Sequence, residues 1–227
     1  MINGFVVAID GPAGSGKSTV AKRIAKRLNL LYIDTGAMYR ALTLAALNKN
    51  ISPLDRTSVI NLAKKSRIKL EHSPKGLKVA LNGVDVTCDI RTPQVNTCVS
   101  DIAKIKEVRA IMVLEQRKLA QGMNVVLEGR DIGTVVFPKA KFKFFLDASV
   151  DERAKRRFKE MQGVSIDEVK TNVKQRDKID SGRKIAPLKR ADDAVYIDTT
   201  KMSIEEVVKT ILNYIGAPEH RHTRAVE

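Results

Sequence analysis

The chain has 227 residues, 41 Lys+Arg against 26 Asp+Glu and a net charge of +15, with 43% apolar residues. That apolar share supplies a core and excludes disorder as the main state, and no apolar run approaches the ~20 residues that a membrane-crossing helix needs. Cys88 and Cys98 make no disulfide framework and match no zinc spacing, and no secretory signal opens the chain, so a reduced, cytoplasmic, membrane-free protein with anionic partners is expected. In chain order, Phe5–Ile9, Leu31–Ile33, Val125–Leu127, Phe142–Leu146 and Ala194–Ile197 read as buried strands, because continuous apolar runs mark parallel strands covered on both faces. Helical periods lie between them, over Ser18–Leu28, Met38–Leu47, Val108–Leu119 and Ile204–Ile215. The alternation predicts a doubly wound α/β core.

Two stretches break it. From about Asn50 to Thr97, the segments Ile68–Glu71, Leu77–Leu81 and Val84–Val86 are separated by Pro74-Lys75-Gly76 and Asn82-Gly83, which predicts a small antiparallel insert. From Asp151 to Arg190 there are 13 Lys+Arg and 7 Asp+Glu, the composition of a basic helical flap or of a solvated charged face. The end from Ala217 to Glu227 reads as a loose tail, and His220 and His222 in it fit a tail better than a metal site.

Gly11-Pro12-Ala13-Gly14-Ser15-Gly16-Lys17-Ser18 fits G-x-x-x-x-G-K-[ST] and sits between a predicted strand and a predicted helix. The glycines turn backbone N–H groups towards phosphate oxygens, and the helix start adds its positive dipole end. Lys17 reaches the β- and γ-phosphates, and the Ser18 hydroxyl suits Mg²⁺. The loop with Thr19 behind it is expected to bind ATP. Three further clusters carry arginine beside aspartate: Asp34 to Arg40, Glu128 to Thr134, and Arg176 to Arg183. The first two follow predicted strands, on the rim where open α/β sheets bind ligands. A second anion facing the γ-phosphate accounts for all three.

These blocks resemble bacterial cytidylate kinases, of the nucleoside monophosphate kinase group. The resemblance rests on Ile9 to Ser18, Asp34-Thr35-Gly36-Ala37-Met38-Tyr39-Arg40, the run Gly129 to Pro138, Phe145-Leu146-Asp147-Ala148, and Arg176 to Arg183 with Ala186-Pro187-Leu188 behind, and it spans about residues 5–215. It implies a P-loop NTPase fold: a five-stranded parallel core (about 1–49, 98–150 and 191–216), a monophosphate-binding insert (about 50–97) and a mobile lid (about 151–190) in one kinase domain. It implies γ-phosphoryl transfer from ATP to CMP or dCMP by a monomer, with no nucleic acid and no membrane. By the same resemblance, Arg40, Arg130 and Arg183 hold the acceptor phosphate, and Arg176 and Asp180 contact the sugar. Ser100, Arg109 and Asp131 read the cytosine edge, and Thr35 lies within reach of the nucleotide. Lys17, Arg130, Arg176 and Arg183 would carry the transfer. Asp10 and Glu128 both remain candidates for the outer Mg²⁺ shell. Ser181-Gly182 departs from the family's Ser-Asn, and Gly182 is expected to loosen the lid.

The residue types suit that chemistry. Asp131 accepts from the cytosine amino group, whereas uracil would set two acceptors together. Other small-molecule kinases of the fold explain the phosphate loop but not the Gly129 to Pro138 run. A nucleic-acid-dependent ATPase explains the charge, but the chain has 6 Phe, 4 Tyr and no Trp, too few for a base-stacking stripe.

Overall fold

The computed structural model describes residues 4–73, 76–161 and 163–216. The Pro74-Lys75 turn and the tail from Ala217 with His220 and His222 lie outside them. Five strands, β1 (Val6–Asp10), β2 (Leu31–Asp34), β6 (Val125–Gly129), β7 (Phe142–Asp147) and β8 (Val195–Asp198), form one sheet in the order β2-β6-β1-β7-β8. All of its pairings are parallel. Each strand extends to a polar or glycine residue at its carboxyl end, one or two positions beyond its apolar run: Asp10, Asp34, Gly129, Asp147 and Asp198. Those ends lie along one rim of the sheet.

Alternate residues face opposite layers. Val7 and Ile9 pack with Val126, Phe144 and Leu146 under α1 (Lys17–Leu28) and α8 (Ile204–Gly216). Val6 and Ala8 face the other way, towards Val113, Leu127, Ile132 and Phe137. A third cluster joins α2 (Thr35–Asn48), α4 (Pro93–Ala103) and α5 (Lys106–Leu119) to the insert.

The insert holds the expected antiparallel sheet, β3 (Ile68–Ser73), β4 (Gly76–Leu81) and β5 (Val84–Asp85). Asn82 and Gly83 turn the β4–β5 hairpin with φ of 51° and 89°, the pair of positive values that a two-residue I′ turn requires. It also holds α3 (Arg56–Lys65), which the strand-centred sequence reading did not foresee; Asp55 caps it through the Ser58 N–H, and Val59, Leu62 and Ala63 bury its inner face. The helix α4 starts at Pro93, with Thr92 as its cap, inside the range read as insert.

The basic stretch forms two helices, α6 (Val150–Phe158) and α7 (Ile166–Ser181), packed through Ala154, Val169 and Val173. Ser149 caps α6, and a reciprocal Ser165–Glu168 box starts α7. Gly182 ends α7 at an ordinary φ of −82°, and a Cβ there would lie 2.8 Å from the Lys178 carbonyl oxygen.

Candidate active site

The carboxyl ends of β1, β2 and β6, with α4, α6 and α7, surround a cleft of about 790 Å³. Its floor is the loop between β1 and α1. Gly11 adopts φ 147°, and a Cβ there would fall 1.9 Å from the Leu146 carbonyl oxygen, so no other residue fits without moving the backbone. Gly16 caps α1 in the left-handed region with no side chain on the first N–H groups, which stay free for an anion. Ala13, Gly14, Gly16, Lys17, Ser18 and Thr19 line the cleft. Gly11, Pro12 and Ser15 do not; they brace the loop from behind, with Ser15 Oγ donating to Pro12 O at 3.1 Å.

Lys17 is 4% exposed, and its Nζ donates to Pro12 O at 2.6 Å and to Ser15 Oγ at 3.3 Å. Burial, and then the Arg130 charge, push its pKa down to about 7, against the opposing pull of Glu128. A phosphate anion beside it would restore the ammonium.

Asp34, not Thr35, caps α2: its carboxylate accepts from Ala37 N at 2.8 Å. The cap is the last residue of β2, because α2 begins directly at the strand end. Burial alone would raise the Asp34 carboxyl, but Arg40 at 2.9 Å, the Ala37 N–H and Arg91 at 3.7 Å hold it below the usual range. Thr35 lines the cleft while its hydroxyl donates to Glu128 O at 2.6 Å.

The run after β6 is a π-helical turn over Ile132–Val136, a local geometry common at functional sites. Asp10 creates it. Its carboxylate accepts from Ile132 N at 2.8 Å and from Gly133 N at 2.7 Å, and burial pushes its pKa up to about 6 despite those bonds. Arg117 and Lys143 hold the far end through the Val135, Val136 and Pro138 carbonyls. The turn presents Asp131 to Arg109 as a buried ion pair, with Arg109 also lying over the Tyr39 ring.

The third cluster closes the cleft from α7. Asp180 is 1% exposed and pairs with Arg130 at 3.0 Å, with Arg183, and with Arg176 at 3.9 Å; Ser100 Oγ donates to it at 3.4 Å. Burial would raise this carboxyl, and the three arginines outweigh it and hold the group low. Arg176 is pushed down by burial first and then by Arg130, though a guanidinium keeps its proton. The structure therefore brings Thr35, Arg40, Ser100, Arg109, Arg130, Asp131, Arg176, Asp180 and Arg183 to one cleft with Lys17. Ser100 faces Asp180 rather than the Arg109–Asp131 pair.

Sequence reasoning missed the contribution of α6. Arg156 and Arg157 line the cleft beside the phosphate loop. Arg156 is anchored to Thr199 Oγ1 at 3.0 Å and to Thr199 O at 2.7 Å. Arg157 is half-buried, and no described carboxylate lies within ion-pair distance of it. The spacing of Arg153, Arg156 and Arg157 puts all three on one helix face, which is the signal that could have found them.

A phosphate loop, a parallel sheet in this order and a second set of arginines across the same cleft define a P-loop phosphotransferase whose acceptor is itself an anion. The model of the family described as cytidylate kinase matches residues 7–217. A cytidylate kinase of Desulforamulus reducens is 53% identical over 213 residues, covering 92% of this chain and 96% of the relative. One of Caldanaerobacter subterraneus subsp. tengcongensis is 52% identical over 220 residues, covering 95% and 96%. The chain belongs to the cytidylate kinase family. A solved structure described as an uncharacterized protein from Eubacterium ventriosum shares the fold, with a TM-score of 0.54 at 15% identity over 94% of this chain and 99% of that one.

Proposed function

We propose that the protein transfers the γ-phosphoryl group of ATP to CMP, giving CDP and ADP, with dCMP as a second acceptor. The observation that carries this reading is the convergence of Lys17, Arg40, Arg130, Arg176 and Arg183 on one cleft that also contains the Arg109–Asp131 pair. Four arginines gathered round Asp34 and Asp180, across the cleft from Lys17, suit a second anion beside the triphosphate, and a carboxylate beside a guanidinium suits the amino and ring-nitrogen edge of cytosine.

The triphosphate lies on the loop N–H groups and Lys17. Arg40, Arg130 and Arg183 hold the acceptor phosphate, and Arg176 with Asp180 reaches its sugar. Asp131 accepts from the cytosine amino group and Arg109 donates to the ring; Ser100 joins them only by releasing Asp180. An acceptor phosphate oxygen attacks the γ-phosphorus in line, and the bond to the β–γ bridging oxygen breaks with its electron pair, leaving ADP. That oxygen is already ionised, so no general base is needed, and the protein contributes position and neutralising charge. The segment over residues 151–190 acts as a lid that excludes water.

The donor chemistry fits Mg²⁺. The Ser18 hydroxyl and the Glu128 carboxylate both line the cleft, and both offer oxygen to a hard cation. No group of three or more His, Cys, Asp or Glu able to hold a metal occurs among the described residues, so a nucleotide-borne ion fits better than a resident one. When bound, Mg²⁺ would supply charge neutralisation to the triphosphate, held by the Ser18 hydroxyl. Of the two candidates for its outer shell, we assign Glu128, because both Asp10 oxygens are spent on backbone N–H groups.

A coupled ADP-release assay across the nucleoside monophosphates tests the reading. ATP consumption should appear with CMP or dCMP and hardly at all without an acceptor. Stimulation by single-stranded DNA, with no response to CMP, would overturn it in favour of a nucleic-acid-dependent ATPase.

A further inference from the structure

Arg153 has a different position from its neighbours Arg156 and Arg157. It does not line the cleft, yet it is 4% exposed and spends its whole guanidinium on three separate elements. Nε donates to Ala148 O at 2.9 Å, in the turn between β7 and α6. One terminal nitrogen donates to Ala13 O at 3.2 Å, in the phosphate loop. The other meets the Asp177 carboxylate at 2.7 Å, on α7. The loop leans on this same residue: a Cβ on Gly14, whose φ is 80°, would lie 2.8 Å from the Arg153 carbonyl oxygen.

The consequence depends on what surrounds Asp177. Arg176 precedes it, and Asp180 lies one turn on, where it gathers Arg130, Arg183 and Ser100. At its C-terminal end α7 is thus tied to the acceptor half of the cleft. Through Asp177 and Arg153 it is tied to the donor half. The hydrophobic contact of α6 with α7 is built on Ala154, Val169 and Val173 with Val150, Met161 and Val164 packed against them, and the exposed Asp151–Lys170 pair adds a second tie; the Arg153–Asp177 pair is the buried one, and the one that also reaches the phosphate loop. A buried guanidinium is a costly way to join two helices, and a medium-sized apolar residue would serve packing alone better. A planar fork, however, can fix two directions at once. The other Asp177 oxygen is buried without a partner, so the pair has room to become bidentate when α7 shifts.

We propose that Arg153 is a positioning residue for phosphoryl transfer: with Asp177 it fixes α7, and hence Arg176 and Asp180, against the phosphate loop, so that a triphosphate on the loop orders the acceptor side of the lid. This rests on the assignment of the cleft to ATP and CMP.

The test uses the full chain as wild type, Arg153→Lys, Asp177→Asn and the double variant. Steady-state kinetics with ATP and CMP should show kcat reduced about 10- to 100-fold in each single variant, with both KM values within about threefold. The double variant should be no worse than the worse single one, because both break the same strut. Asp177→Asn keeps the side-chain shape outside the cleft and still offers Arg153 an amide oxygen, so it should bind ATP, and a urea titration measures the stability lost with the charge. Amide exchange gives a readout that simple destabilisation would not. In the wild type, ATP alone should slow exchange across residues 172–181; in Asp177→Asn, ATP should bind without slowing it. Asp177→Glu should recover part of kcat. If the wild type phosphorylates CMP while Asp177→Asn keeps both kcat and the ATP-induced protection, the strut is refuted and the cleft assignment stands. A wild type that ignores CMP refutes both.

Discussion

Asp180 accepts from Arg130 Nε at 3.0 Å, so a buried carboxylate occupies a ring of arginines otherwise suited to phosphate. Arg183 meets its other oxygen. An anion at this position keeps the arginines from repelling one another before the acceptor arrives. Removing it leaves buried cations unpaired, at a cost of about 3–5 kcal/mol. Asp180→Ala should therefore unfold at lower urea than the wild type. Inorganic phosphate should restore part of the loss, because it supplies the missing charge. Urea titrations with and without phosphate measure this, and equal stabilisation of both proteins by phosphate would show that Asp180 is no placeholder.

On the proposed assignment of the base to the Arg109–Asp131 pair, recognition depends on which partner carries the acceptor. Asp131→Asn retains shape and presents an amide that can donate to a uracil carbonyl. The ratio of kcat/KM for CMP over UMP should fall about 10- to 100-fold, the equivalent of one mismatched buried polar contact at about 1–3 kcal/mol. ATP affinity should hardly change. A preserved ratio would place base reading elsewhere.

The parts legible in the sequence were those in which one local pattern has one physical outcome. Phe142 to Leu146 reads as a covered strand, and Gly11 to Ser18 reads as a phosphate loop because a strand precedes it and a helix follows. Asn82-Gly83 fixed a hairpin for the same reason. The arginines of the cleft were found through family resemblance, since an Arg-Asp cluster alone reads equally well as a surface pair. Helix α3 was lost because its apolar residues, Val59, Leu62 and Ala63, are few and its surroundings signalled strands. The division of labour within α6 was not legible at all. Arg153, Arg156 and Arg157 share a face and a residue type, and only the helix's contact with the phosphate loop decides that one becomes a strut and two line the cleft. Asp10 was open for an analogous reason: a carboxylate at a strand end suits a metal shell or a backbone cap, and the π-helical turn at Ile132–Val136 settles its oxygens on the cap.

Arg157 lines the cleft beside Arg40 and Arg130 without a carboxylate of its own among the described residues. Burial, opposed by Glu160 and reinforced by Arg130 and Arg40, pushes its proton affinity down, so a counter-ion brought by the substrate would stabilise it. If that counter-ion is the phosphoryl group in flight, Arg157→Ala should lower kcat about 10²–10³-fold with little change in either KM and little change in melting temperature. Steady-state kinetics beside a thermal melt decides it. A raised KM for ATP at unchanged kcat would limit Arg157 to holding the ground-state triphosphate.

Lys17 gives the ligand-free protein a pH dependence of definite sign. Its folded pKa is about 7, against 10.5 for the unfolded chain. Between those values the unfolded chain binds a proton that the folded protein lacks, so stability rises with pH through that window, by up to about 1.4 kcal/mol per pH unit. Below pH 7 both states carry the proton and the contribution is flat, with the full cost of the buried ammonium already paid. Asp10, with a folded pKa of about 6 against 3.8, acts in the opposite direction and only below this range. Lys17→Met removes the titrating group with little change in volume. The unfolding free energy of the wild type minus that of Lys17→Met should therefore climb between pH 7.5 and 9.5, and urea titrations at several pH values measure it. Triphosphate should abolish the climb, because an anion on the loop returns the amine to its charged form, and calorimetry in buffers of different ionisation enthalpy should then detect proton uptake on ATP binding at pH 8. A flat difference, with no proton uptake, would mean that Lys17 stays charged in the empty loop and that its bond to Pro12 O already compensates its burial.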